Sequence, residues 1–261
     1  MSEERKGLFT TAMIARTESQ KIVSLYFTGH DHAGENLSNI LSKRPKELPK
    51  PMLMCDALSR NTPKDISVIL GRCLAHARRK FFEIKDDHPD ECEPIIELIA
   101  HIYAIDKWIK KEGMSATDRL MYHQMFSTTA VNTLHELLKK LSVNGDIEPA
   151  TNLGKGINYS LKHWEGLTLF LRVVGAPLDN NICEQAIKVA ILSRKNSYFY
   201  RSKKGAEAGD TFMTILHTCA INKINYFDYL VTLQKNQSAV KSDPGKWLPW
   251  NYPKEAFDNN I

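Results

Sequence analysis

The hydrophobic period of this chain changes at His32, and that change limits its fold more than any other feature. Before it, residues 8–15 (Leu-Phe-Thr-Thr-Ala-Met-Ile-Ala) and 22–28 (Ile-Val-Ser-Leu-Tyr-Phe-Thr) are rich in β-branched and aromatic side chains. The polar stretch Arg16 to Lys21 separates them, which predicts an antiparallel hairpin. After it, Ala33, Leu37, Ile40 and Leu41 recur at helical spacing until Pro45 stops the helix. One later apolar run, Met52-Leu-Met-Cys55, is too short for a helix and is broken at once by Asp56. It reads as a buried strand that delivers a carboxylate at its C-terminal end.

Beyond that strand the pattern is helical. A strand remnant or turn from Ile69 leads into a helix that reaches Ile84 and bears His76, Arg78, Arg79 and Lys80. Helix-period apolar positions mark 92–111 (Ile95, Leu98, Ile99, Ile102, Ile105) and 116–142 (Leu134, Leu137, Leu138, Leu141), with Asn144-Gly145 as the closing turn. A third long helix is expected over 155–173, ended by Gly175-Ala-Pro-Leu-Asp-Asn-Asn181. Asp179 or Asn180 then caps a new helix. Helices over about 206–222 and 226–236 and a Trp/Pro-rich tail (Trp247, Pro249, Trp250, Tyr252, Pro253) finish the chain, the tail expected to pack as a hydrophobic clasp. A few strands in front and helices behind make the fold class α/β or α+β, not an all-helical bundle.

Composition narrows the class. With 43% hydrophobic and 25% charged residues, the 261-residue chain is neither intrinsically disordered nor fibrous, and its length suits one large or two small domains. No apolar run approaches the roughly 20 residues of a membrane span. The first residues carry no secretory pattern, so no membrane and a cytoplasmic location are expected. Five cysteines, an odd number, do not make a disulfide framework. The net charge of +5 is mild, but its distribution is uneven. Residues 86–97 hold six acids and no Lys or Arg; residues 185–204 hold six basic residues and no acid, with Tyr198-Phe-Tyr200 among them. Each segment reads first as a solvated face. Cations beside aromatics are also a nucleic-acid surface pattern.

For Asp56 alone, the commoner role is to cap the turn after its strand. Its position at the C-terminal edge of a sheet, where α/β proteins hold ligands and metals, gives the alternative. Glu184 falls early on the helix opened by Asp179-Asn-Asn181, and could be a dipole-favoured surface acid or, with Asp56, part of a Mg²⁺ site. Cys73-Leu-Ala-His76 has half the spacing of a zinc site without a second pair, so Cys73 reads as a small buried apolar residue. Leu153-Gly-Lys-Gly156 lacks the spacing of a phosphate-binding loop, and no Ser/Cys–His nucleophile motif is present. His101, His123 and His135 lack ligand spacing and read as surface or core residues.

Five motifs, in order, resemble the insertion-sequence sixty-six family of bacterial transposases. They are Met54-Cys-Asp56-Ala-Leu-Ser-Arg60-Asn61; Cys73-Leu-Ala-His76-Ala-Arg-Arg-Lys-Phe81; Leu153-Gly-Lys-Gly-Ile157 with Tyr159 and Trp164; Leu178-Asp-Asn-Asn181 with Glu184; and Arg194-Lys-Asn196. The resemblance spans about Gly7 to Tyr252. It implies an α/β, RNase H-like core with a helical insertion before the last carboxylate and C-terminal helices. It also implies a DDE-type site in which two Asp and one Glu hold two divalent ions, Mg²⁺ or Mn²⁺. By motif, Asp56 is the second acid and Glu184 the third, with Asp179, Asn180 and Asn181 positioning the Glu184 helix. Arg78, Arg79, Lys188, Arg194 and Lys195 are the expected DNA contacts. The partner implied is DNA, the terminal repeats of an element; a homo-oligomer and helper proteins of the same element stay open.

Departures from the family pattern matter. Gln185 stands where a basic residue usually follows the Glu, with Lys188 as a partial replacement. No credible first acid is found: Glu3 and Glu4 have no strand to carry them, and Asp31 lies in the loop after the second strand. The chain is therefore read as the C-terminal portion of a transposase, N-terminally truncated, frameshifted or given too late a start, with the first core strand lacking. Alone it is expected to be weakly active or inactive, since two carboxylates hold two metals poorly. The expected divisions are 1–85 for the front of the core, 86–152 for the insertion, 153–240 for the helices completing the core, and 241–261 for the tail. The alternative is an inactive remnant that binds DNA or full-length transposase. A helical protein–protein module is the third reading.

Overall fold

The computed structural model describes residues 8–17, 19–143, 147–196, 200 and 202–252, without the side chain of Arg194. The Asn144-Gly145 turn, Glu3 and Glu4, Tyr198 and Phe199, Arg201 and Pro253 lie outside the described residues. In chain order the elements are β1 (Phe9–Arg16), β2 (Ile22–Gly29), α1 (Ala33–Leu41), β3 (Met52–Cys55), β4 (Ile69–Arg72), α2 (Leu74–Phe82) and α3 (Pro89–Lys111). There follow α4 (Ala116–Phe126), α5 (Thr128–Val143), α6 (Asn152–Lys162), α7 (Trp164–Leu167) and α8 (Asn181–Asn196). The last are α9 (Lys203–Ile221), α10 (Tyr226–Lys235) and α11 (Gln237–Ser242).

The hairpin and the Asp56 strand form where their patterns place them, and Ile69–Arg72 is a strand rather than a turn. Two expected helices are broken. The helix expected over 116–142 stops at Ser127, and the one over 155–173 bends at His163 and Thr168, whose backbones leave helical geometry. Among the described residues the strands form two separate two-stranded sheets, β1–β2 and β3–β4, rather than one sheet. The chain divides into two compact units, residues 37–181 and residues 1–36 with 182–261. That grouping differs from divisions at 85, 152 and 240, because contacts join the front hairpin to the end of the chain.

In the 37–181 unit, β3 and β4 are parallel, with Met52 opposite Ile69 and Cys55 opposite Arg72. The core is helical. On α3, Cys92, Ile95, Ile99, Ile102, Asp106 and Ile109 are buried, steps of three and four residues that put one stripe inward. Acids in the first turn of α3 and Lys110 and Lys111 in its last turn suit the helix dipole. Cys92, Ile95, Ile99 and Ile102 of the stripe pack with Phe81, Leu134, Leu138, Leu153 and Ile157 in one cluster. Truncating one such Ile to Ala costs roughly 2–5 kcal/mol. The glycines of Leu153-Gly-Lys-Gly156 sit inside α6 and serve packing. A Cβ on Gly154 would lie 2.3 Å from the carbonyl oxygen of Glu148, and one on Gly156 would lie 3.2 Å from the Phe81 ring.

In the other unit a lone hairpin would be marginal in water. Helix α9 and its C-cap residue Asn222 stabilise it through side chains that bond the outer edge of β2. Asn222, Thr218 and Thr214 accept from the N–H groups of Ile22, Ser24 and Tyr26 at 3.3, 3.1 and 3.1 Å, and Asp210 accepts from that of Thr28. Four helical residues rise about 6 Å and two strand residues about 6.7 Å, so an i, i+4 row can follow alternate strand residues. Asn222 and Thr218 also donate to the carbonyls of Ile22 and Ser24. The tail closes as the clasp expected from its aromatics: Tyr252 packs with Cys219 and Tyr229, and the Tyr229 hydroxyl donates to the carbonyl of Trp247 at 2.6 Å.

Candidate active site

Asp56 directly follows β3, at the C-terminal end of the parallel pair. Its Oδ1 accepts from the Leu58 N–H at 3.2 Å and from Asn61 Nδ2 at 2.6 Å, and its carbonyl accepts from the Arg72 guanidinium at 2.6 Å. The turn-capping role is thus realised. It explains the spacing of Asp56 and Asn61, and it fixes the carboxylate through one oxygen. Oδ2 has no hydrogen-bond partner among the described residues, so the same geometry that caps the turn presents an acceptor.

The motifs around Cys73 and Leu178 meet beside this strand end. The Cys73 N–H donates to the carbonyl of Cys55 at 3.2 Å, and the Leu74 N–H to the carbonyl of Leu178 at 2.9 Å. Cys73 is fully buried, and burial pushes its thiol pKa up, with the Asp179 charge adding to this and backbone N–H groups of Asn180 and His76 opposing. It is the small buried core residue its context predicts. Asp179 Oδ1 accepts from the Asn181 N–H at 3.1 Å, an Asx turn that leads into α8. The Oδ1 of Asn180 is buried without a hydrogen-bond partner among the described residues. Burial, and then the charge of Asp179, push the Tyr103 hydroxyl far above its usual range.

Glu184 lies in the first turn of α8. At 100° per residue Glu184, Lys188 and Lys195 share one face of that helix. Ala186 and Ala190 form the opposite, buried face against Tyr26, whose hydroxyl donates to the carbonyl of Ala186 at 3.0 Å. Lys188 and Lys195 are exposed, and the side chain of Arg194 lies outside the described residues. Arg78 and Arg79 stand on α2. The structure thus groups Asp56, Arg78, Arg79, Asp179, Asn180 and Asn181 in the 37–181 unit, and Glu184, Lys188, Arg194 and Lys195 in the other. No strand among the described residues carries a carboxylate, and Asp31 stands exposed in the loop between β2 and α1.

One polar cluster escaped the sequence reading. Ser127 Oγ is 2.9 Å from His123 Nδ1, and His123 Nε2 is 3.4 Å from Asp106 Oδ1. The order of groups is that of a nucleophilic triad. All three are no more than 2% exposed, however, and Asp106 is also held by Lys110 at 2.5 Å and Arg119 at 3.0 Å. No substrate reaches them, so the cluster ties α3 to α4 and the start of α5. A signal existed: Asp106 stands in the apolar stripe of α3, where only a paired acid is tolerated.

These features describe a mixed α/β protein, mostly helical, with a carboxylate at the end of a parallel strand pair. The profile described as "Transposase IS66 family" matches residues 4–208, and the chain belongs to that family. Among curated proteins it is similar to "Uncharacterized protein y4jD" of Sinorhizobium fredii (strain NBRC 101917 / NGR234), 32% identical over 187 residues, 70% of this chain and 36% of that one. It is also similar to "Uncharacterized protein y4hP" of the same strain, 31% identical over 207 residues, 74% of this chain and 37% of that one. The chain therefore spans little more than a third of the length of these relatives. No solved structure matches it. The profile ends at residue 208, and the motif resemblance runs on to about Tyr252. No helix among the described residues is long and apolar enough to cross a membrane.

Proposed function

We propose that this chain is part of the DNA-processing region of an insertion-sequence transposase, with an RNase H-like core in which Asp56 and Glu184 are two of three metal-holding carboxylates. One observation carries the reading: within a chain of this family, Asp56 closes a parallel strand and is fixed through Oδ1 with Oδ2 left to accept. Family membership, rather than their placement, links Asp56 with Glu184. The first acid then belongs to a strand that none of the described residues supplies.

The donor set suits Mg²⁺ or Mn²⁺, which take carboxylate oxygens and keep several waters. Bound there, such ions supply activation of a water or DNA 3′-hydroxyl and stabilisation of the leaving oxygen. The protein's own groups do the positioning. Asn61 and the Leu58 N–H hold Asp56, and Asp179 fixes the start of the helix that bears Glu184. Arg78, Arg79, Lys188, Arg194 and Lys195 are assigned to DNA phosphates, where guanidinium and ammonium groups give affinity and orientation without reading sequence.

The test uses Mn²⁺ titration calorimetry and binding of a labelled duplex across a salt series. Asp56→Asn keeps an Oδ1 acceptor for the turn. It is expected to fold normally, to weaken Mn²⁺ binding at least about tenfold, and to leave metal-free DNA affinity unchanged. Asp56→Ala loses the turn bonds as well and costs about 1 kcal/mol of stability. Unchanged Mn²⁺ affinity in Asp56→Asn removes the metal role, and absence of salt-dependent duplex binding removes the transposase reading. The lack of an acid on any described strand favours a second reading, a non-catalytic chain that binds DNA or full-length transposase. Under it the purified chain shows no Mg²⁺-dependent strand transfer; robust transfer would overturn it.

A further inference from the structure

Helix α3 buries one stripe and leaves the opposite face in water. Along that face stand Glu93, Glu97, Ala100, Ala104, Lys107 and Lys111, all exposed. At 100° per residue they keep within about 40° of one line along the helix. The order is acid, acid, small, small, base, base, and it is symmetric about Ile102. Glu93 and Lys111 lie nine residues either side of it, Glu97 and Lys107 five, and Ala100 and Ala104 two. Contacts within the chain do not account for this order. Among the described residues none of the four charges is in an ion pair. Glu93 with Glu97, and Lys107 with Lys111, are like charges four residues apart, a spacing that destabilises an isolated helix. The helix dipole favours acids in the first turn and bases in the last. Glu93, Glu97 and Lys107 lie outside those turns.

The face is complementary to itself. When a second α3 is turned end for end about a twofold axis at the level of Ile102, Glu93 stands opposite Lys111 of the partner subunit, and Glu97 opposite Lys107 of the partner subunit. Twofold symmetry makes each pair twice. Ala100 and Ala104 fall at the crossing, where single methyl groups let helix axes approach to about 8 Å, the close end of the usual range. Trp108 flanks the stripe, 45% exposed, with its ring 5.2 Å from that of Tyr122. Exposed aromatics of this kind are enriched where proteins meet. A parallel partner would set acid against acid, and a DNA strand along this face would meet Glu93 and Glu97. We propose that this face is an interface between two copies of the chain, packed antiparallel through α3. One helix pair buries less than a standard interface, so the dimer is a reversible one. The proposal goes beyond the metal and DNA readings above and does not depend on them.

Sedimentation velocity of the full chain across a concentration series tests the interface. Wild type is expected in a monomer–dimer equilibrium that weakens as salt rises, because exposed ion pairs are screened. Lys107→Glu with Lys111→Glu makes the whole face acidic and should weaken self-association at least about tenfold. Glu93→Lys with Glu97→Lys makes it basic and should do the same. Mixed together, the two variants restore every opposite-charge pair and should form a heterodimer at least as tight as the wild-type dimer, which misfolded variants would not do. Thermal melts by circular dichroism check each variant's fold. Direction and register are read by cross-linking. Copies carrying Ala100→Cys mixed with copies carrying Ala104→Cys should form a disulfide on mild oxidation faster than either alone and faster than wild type, since only that combination sets the two sulfurs level across the axis. A chain that stays monomeric at every concentration and salt overturns the interface. So does a dimer unmoved by both charge reversals, or one that the mixture fails to restore. Equal cross-linking in the mixed and unmixed cysteine variants overturns the antiparallel packing.

Discussion

At the residue scale, Asp106 shows how a buried charge is tolerated. Burial alone raises its carboxyl pKa. Hydrogen bonds from His123 and Lys110 and the charges of Lys110 and Arg119 outweigh that and hold the carboxyl well below the usual range. The sign of the pH dependence follows. An unfolded Asp titrates near about 3.9. Above that pH the folded and unfolded chains are both ionised and the pairing is present in full. As pH falls toward the folded value, the unfolded chain takes up the proton first and the stabilisation is lost. Asp106→Asn leaves Arg119 facing the core without its counter-charge, and should cost about 3 kcal/mol at neutral pH. Urea melts at neutral pH and at about pH 3 should show a smaller loss on acidification in the variant than in the wild type. An equal acid loss in both would exclude Asp106 as the source.

At the scale of elements, α9 does the work of a neighbouring strand. Edge strands expose N–H and C=O groups that must find partners, and Asp210, Thr214, Thr218 and Asn222 supply them to β2. Burial pushes the Asp210 carboxyl up, against the bonds it receives from Thr28. Ser24 and Thr218 are both buried, so Thr218→Val leaves the Ser24 N–H without an acceptor. The expected cost is about 1–3 kcal/mol, with lost hydrogen-exchange protection at Ser24 and recovery in Thr218→Ser. In the sequence this row looks like an ordinary polar helix face. Its four residues repeat every fourth position, and periodicity alone cannot tell whether such a face meets solvent or a strand edge.

At the scale of the molecule, the chain is two units of unequal continuity. Residues 37–181 are contiguous and contain the whole cluster built on Phe81, Ile99, Leu138 and Ile157. The other unit needs the hairpin at one end of the chain and α8 to α11 at the other. A fragment of residues 37–181 is therefore expected to melt cooperatively and to keep its helical circular dichroism. Residues 182–261 alone, without β2 to receive the α9 side chains, should not fold. A non-cooperative 37–181 fragment would show that its core depends on the remainder.

The amino-acid sequence by itself determined the hairpin, the strand before Asp56, most helices and the family, because these depend on local period, turn residues and motif order. It placed Asp56 at a strand end, yet left open whether that acid caps a turn; the structure shows that it does, with an oxygen to spare. Tertiary structure alone decided the rest. The pairing of Asp106 with Arg119 and His123 and the joining of the hairpin to α9 depend on partners outside the local pattern. The ladder joins residues up to 200 positions apart. No local pattern encodes such pairings, since a side chain's partner is fixed by where packing carries its element.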